Sequence, residues 1–155
     1  MLQIRPLAVA LVALSCALAG IVQAQGAPSK AEQALKYRKS LYQVLAYNFG
    51  PMGAMAQGKA PYDAKDLAKR AERVAMIAPL LGESFSADTK GLPNSELKAE
   101  MWANRADFDA KMKDLVDRSA TLASVAEAGD AATSKAAFFD MANACKACHD
   151  KYKAD

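Results

Sequence analysis

The sequence predicts an all-α chain folded as an up-down-up-down antiparallel four-helix bundle, and three observations carry that expectation. The chain is rich in alanine and poor in β-branched residues, a balance that favours helix over sheet. Beyond an apolar leader, four stretches repeat apolar residues at i, i+3 and i+4, the spacing of one helical face. Glycine and proline punctuate the gaps, giving two short connections and one longer one, as expected when neighbouring helices run antiparallel.

The leader comes first. Met1-Leu-Gln-Ile-Arg5 is a short basic start, Leu7 to Val22 is apolar and uncharged, and Val22-Gln-Ala24 offers small residues where a signal peptidase cuts. Residues 1–24 therefore read as a cleaved secretory signal, and residues 25–155 as one helical domain. The apolar run is marginal for a bilayer span and a polar tract follows it, so no membrane association is expected after cleavage. Ala13-Leu-Ser-Cys16 lacks the leucine that a lipid-acceptor cysteine has three residues before it. Cleavage removes one charge, Arg5, from a formal net charge of +3. With no basic tract or charge block, nothing points to nucleic acid.

The first helix opens near Ser29, a plausible N-cap with Glu32 three residues on. Leu35, Leu41, Tyr42, Leu45 and Phe49 supply its apolar positions. Gly50-Pro51 predicts a kink or interruption, because Pro51 has no N–H for the Tyr47 carbonyl and crowds it. Met52 and Met55 extend the pattern beyond that point, and Gly58-Lys-Ala-Pro61 ends it. Asp63 caps the second helix, whose stripe is Leu67, Val74, Ile77 and Leu81; Gly82 stops it. Glu83 to Asn94, with Gly91 and Pro93, is a loop of about a dozen residues, long for a small domain and suited to covering a cofactor edge. The third helix is expected from Asn94 or Ser95 to about Ala128, with Leu97, Met101, Phe108, Met112, Leu115, Leu122 and Val125 in register. Gly129-Asp130 stops it and caps the fourth, Ala131 to Tyr152, with Phe138, Met141, Cys145, Cys148 and Tyr152 on one stripe.

That stripe carries the chemistry. Cys145-Lys-Ala-Cys148-His149 has the spacing by which c-type haem is attached. Each thiol adds to one porphyrin vinyl group, and the histidine reaches the iron as proximal ligand. On a helix the three residues are related as i, i+3 and i+4 and share a face. A thioredoxin-like dithiol would want a βαβ setting, which this chain lacks. A structural zinc site would want four ligands. The chain has three cysteines, one of them in the leader, and a single histidine, His149. A disulfide pair on a haem-free helical module, and a zinc site completed by a carboxylate, are the remaining alternatives.

A leader, four helices and this motif at the extreme C-terminus resemble the class II c-type cytochromes, specifically the cytochrome c′ family. The resemblance spans residues 25–155 and extends to Lys36-Tyr-Arg-Lys-Ser40, Asn48-Phe-Gly50, Ala60-Pro-Tyr-Asp63 and Cys145-Lys-Ala-Cys-His-Asp150. It implies one covalently bound haem c held by Cys145 and Cys148, with iron on His149. It further implies that Tyr42 on the first helix blocks the sixth coordination position, where low-spin relatives carry a ligating methionine. A five-coordinate, high-spin haem is therefore expected, with a low-spin electron carrier as the alternative. Arg38 lies on the inward face one turn before Tyr42, where a charge needs a partner; the resemblance supplies a haem propionate. A snorkelling arginine at the bundle end is the competing reading. Lys39, where relatives often carry glutamine, and Lys153, one turn after His149, match positions flanking the haem.

By the same resemblance the protein is expected in the periplasm as a homodimer packed through its first and second helices. It would bind nitric oxide and carbon monoxide and exchange single electrons with small redox proteins. No second histidine or acid–base pair marks a catalytic centre, so enzymatic turnover is not expected.

Overall fold

Ser29 opens the first helix as a full capping box. Its hydroxyl accepts from the Glu32 N–H at 3.2 Å, and the Glu32 carboxylate accepts from the Ser29 N–H at 2.7 Å. The computed structural model describes residues 27–86 and 89–154, so the leader and Cys16 lie outside the described residues. From Ser29 the chain forms α1 (Lys30–Ala56), α2 (Ala64–Glu83), the single-turn α3 (Glu100–Ala103), α4 (Arg105–Glu127) and α5 (Ala131–Tyr152). Asp63 and Asp130 cap α2 and α5 by accepting from the N–H groups of Asp66 and Thr133.

Helix ends fall where local chemistry puts them. α1 closes with the Lys59 N–H on the Ala54 carbonyl and the Gly58 N–H on Met55, around Gly58 at φ +70°. Gly129, at φ +79°, makes the turn between α4 and α5.

Of the two outcomes expected at Gly50-Pro51, an interruption does not occur: α1 continues through Met52 and Met55 to Ala56. The Tyr47 carbonyl that Pro51 cannot serve accepts instead from Arg70 Nη1 of α2, at 3.2 Å, while Arg70 Nε holds Asp66 at 2.7 Å. A neighbouring helix thus supplies the donor that proline removed. The third helix does not begin at Asn94 or Ser95. Asn94 and Glu96 take left-handed backbone angles, φ +61° and +52°. Leu97 pairs with Lys153 in an isolated antiparallel bridge, in which the Lys98 N–H donates to Tyr152 and the Ala154 N–H to Glu96. Helix starts only at Glu100 and breaks again at Asn104, whose side chain donates to the Glu100 carbonyl at 2.9 Å.

The four long helices pack α1 on α2, α2 on α4, α4 on α5 and α5 on α1, the neighbour order of an antiparallel four-helix bundle. Met52, Leu67, Ala71, Val74, Leu81, Leu122, Phe138 and Met141 form the buried centre. α1 and α5 meet tightly where Gly53 faces Phe138; a Cβ on Gly53 would stand 3.3 Å from the ring. Phe49 packs on the same ring, centroids 4.9 Å apart.

The Arg70–Tyr47 contact makes a measurable coupling. Arg70→Met should cost about 1 kcal/mol in urea unfolding. The cost should shrink in a Pro51→Ala background, where position 51 regains a backbone N–H for the Tyr47 carbonyl. Equal costs in both backgrounds would contradict this account of the unbroken helix.

Candidate functional site

Toward the other end of the α1–α5 seam the two helices enclose a cavity of about 580 Å³. α5 and the residue after it line it with Cys145, Cys148, His149, Tyr152 and Lys153. α1 contributes Arg38, Lys39, Tyr42, Gln43, Leu45, Ala46 and Phe49. Phe108 of α4 and Phe85, Ser95, Glu96 and Leu97 of the α2–α3 connection complete the wall. The seven residues selected from the sequence, which are Arg38, Lys39, Tyr42, Cys145, Cys148, His149 and Lys153, therefore all border one space.

The walls are mostly apolar, and burial sets the protonation states. The phenol of Tyr42 is pushed up to about 12, first by burial and then by the nearby Cys148, with Arg38 opposing. Both thiols are pushed above their ordinary value, chiefly by burial. His149 is held below its ordinary value by burial and by Lys153, against Asp150, which favours the neutral imidazole a metal requires. Lys39 and Lys153 are exposed at the rim.

Arg38 differs from them. It is only 2% exposed, and its guanidinium lies over the Phe85 ring, 4.5 Å from the centroid. Nη1 donates to Thr89 Oγ1 at 3.3 Å. Nη2 is buried and has no hydrogen-bond partner among the described residues. Burial lowers the pKa of this group, as it must for a charge taken out of water.

Other wall residues carry no site signal in the sequence. Phe108 is legible only as part of a core stripe, and Leu97 reads as part of a helix it does not join. Phe85 and Glu96 lie in irregular backbone, where no periodicity marks them.

The end of α5 is fastened to α4. Tyr152 donates its hydroxyl to the Asp107 carboxylate, and Lys151 Nζ reaches the same oxygen at 2.9 Å. The Tyr152 ring meets Phe108 edge-on at 5.6 Å, and Phe108 meets Phe85 likewise at 4.8 Å.

The sequence model of one protein family, described as cytochrome c′, matches residues 33–153. This chain belongs to the cytochrome c′ family. It is 35% identical over 125 residues to a cytochrome c′ of Alcaligenes xylosoxydans xylosoxydans, an alignment covering 81% of this chain and 96% of that one. The solved cytochrome c prime of Shewanella frigidimarina superposes with a TM-score of 0.78 at 39% identity, over 83% of this chain and 99% of the other. A mutant of the Alcaligenes xylosoxidans protein in complex with nitric oxide superposes at 0.74 with 35% identity, over 82% and 98%. The cofactor of this cytochrome is accordingly covalently attached haem c. The residues present suit that group: two thiols on one helical face, an apolar slot beside them, and a buried cationic N–H without a partner among the described residues.

The Asp107 anchor gives a pH test. Hydrogen bonds from Tyr152 and then Lys151 hold the Asp107 carboxyl below its usual range. A folded-state value below the unfolded one contributes stability that is complete above the unfolded value, about 4, and is lost as pH falls through the depressed one. Asp107→Asn should melt at a lower temperature than the parent near pH 7, and the gap should close in acid. A gap that persists unchanged at pH 2 would contradict the anchor.

Proposed function

We propose that this cytochrome c′ is an exported, monohaem protein with a five-coordinate, high-spin haem, which binds nitric oxide and carbon monoxide and passes single electrons. Cys145 and Cys148 carry the two thioether links and His149 the proximal bond. When bound, the haem supplies an iron with one open coordination position and a one-electron couple.

The observation that carries this reading is Tyr42. It borders from α1 the cavity that His149 borders from α5, and its phenol stays protonated far above neutral pH. A protonated phenol in an apolar wall is a poor ligand and a good obstacle. His149 is the one histidine of the chain, and no methionine is among the described residues lining the cavity. Met52, Met55, Met101, Met112 and Met141 are packed into the core, and Met76 faces solvent. This counts against the low-spin alternative, which needs a methionine sulfur at the iron. Tyr42 would admit only a small ligand that can push the ring aside. Nitric oxide complexes of the Alcaligenes xylosoxidans relative are consistent with such a ligand.

Arg38 is the natural partner of a propionate, since a planar guanidinium pairs a carboxylate through parallel N–H groups. Lys39 at the rim and Lys153 beyond His149 add positive charge around the same space. For partners, Tyr37, Val44 and Tyr47 of α1 and Met76 and Leu80 of α2 are exposed apolar side chains, which supports a homodimer built on those two helices. Small redox proteins would be the electron partners. The leader pattern supports a periplasmic location, and no helix among the described residues is long and apolar enough to cross a membrane.

The electron paramagnetic spectrum of the ferric protein tests the coordination state; a low-spin signal in the resting protein would overturn the reading. Tyr42→Ala should raise carbon monoxide affinity by about tenfold or more, a change of roughly 1.4 kcal/mol. Unchanged affinity would remove Tyr42 as the obstacle.

A further inference from the structure

We infer that Phe85 and Thr89 are positioning residues that hold Arg38 at the cavity wall, and that through Arg38 they set the reduction potential of the haem. The inference rests on reading Arg38 as a propionate partner. A guanidinium is a plate with two faces and a rim of N–H groups. The α2–α3 connection engages one face and one stretch of that rim. Phe85 lies against the face at 4.5 Å, and Thr89 Oγ1 accepts from Nη1. What is left is Nη2, buried and unpartnered among the described residues, on a side chain that borders the cavity.

Both supports are themselves held in place. The Phe85 carbonyl accepts from Arg105 Nη1 of α4 at 2.7 Å, and its ring packs edge-on against Phe108. The Thr89 hydroxyl donates its proton to the Ser86 carbonyl at 2.8 Å. Its lone pairs are therefore left to accept from Arg38, so the hydroxyl has a single workable orientation. A long side chain with several rotatable bonds would otherwise have to be ordered by the cofactor contact alone, at the expense of side-chain entropy. Here the loop orders it beforehand. A fixed positive charge beside a propionate disfavours the extra positive charge of ferric haem and so raises the potential. Loosening Arg38 should lower it.

The test is a set of spectroelectrochemical titrations on the haem-loaded protein, comparing Phe85→Leu, Thr89→Val, Arg38→Met and the two doubles with Arg38→Met. Phe85→Leu and Thr89→Val should each lower the midpoint potential in the direction of Arg38→Met, and by less. Neither should add anything once Arg38 is gone, because both act through it. Thr89→Ser keeps the hydroxyl and should restore the parent value. If Phe85→Leu disrupts packing against Phe108, the Thr89 pair decides the matter alone. Equal shifts with and without Arg38, or a shift in Arg38→Met with none in Thr89→Val, would overturn the positioning role. No shift in Arg38→Met itself would instead overturn the propionate reading on which it rests.

Discussion

A single helical face has to do two things in this protein, and the rest of the bundle is arranged around that demand. The stripe of α5 that packs the core through Phe138 and Met141 is the same stripe that carries Cys145, Cys148 and His149 one to three turns later. A stripe cannot be filled by neighbours along its whole length and also face open space. The conflict is resolved along the α1–α5 seam. At the α5 N-terminal half, Gly53 of α1 has no side chain to hold Phe138 off, and Phe49 stacks beside it. At the C-terminal half, Arg38, Tyr42, Leu45 and Ala46 stand back and leave the cavity. The seam is dry and tight at one end and roomy at the other, which confines the cofactor to the end where the thiols are.

Closing that roomy end falls to irregular backbone. Phe85 and Leu97 seal it from the α2–α3 connection, and the bridge between Leu97 and Lys153 ties the connection to the chain end. Left-handed angles at Asn94 and Glu96 bend the backbone into that pairing, a conformation residues other than glycine adopt only when their surroundings compel it. The aromatic row Phe85, Phe108, Tyr152 then spans from the Arg38 side of the cavity to the residue three after His149.

How much of this was legible in the sequence depended on whether the deciding interaction was local. The caps at Ser29, Asp63 and Asp130 lie within three residues of the groups they satisfy, and all three were readable. The haem motif is equally local, since its geometry is one turn of helix. Pro51 left open whether the helix would break, because the donor that serves the Tyr47 carbonyl comes from Arg70, on another helix. Leu97 misled because its spacing from Met101 mimics a helical register, while its partner is Lys153 at the far end of the chain. Phe85 gave no signal at all: a lone aromatic in a loop shows its purpose only when Arg38 is found beneath it.

The two walls of the cavity are held with very different firmness, and this asymmetry bears on ligand entry. The α5 side is fixed by Tyr152 on Asp107, by Lys151 on the same carboxylate, and by backbone pairing on both sides of Leu97. Shifting His149 would require several of these contacts to break together. On the α1 side Tyr42 is only partly buried, and its hydroxyl makes no hydrogen bond among the described residues that would pin the ring. Displacing it costs a side-chain rotation and some apolar contact, on the order of 1–3 kcal/mol. With haem bound as proposed, a small ligand able to bond the iron would offset that cost, whereas a water molecule would gain too little in an apolar slot to do so. On the proposed reading, a firmly held imidazole and a movable ring bordering the same cavity would together favour small ligands.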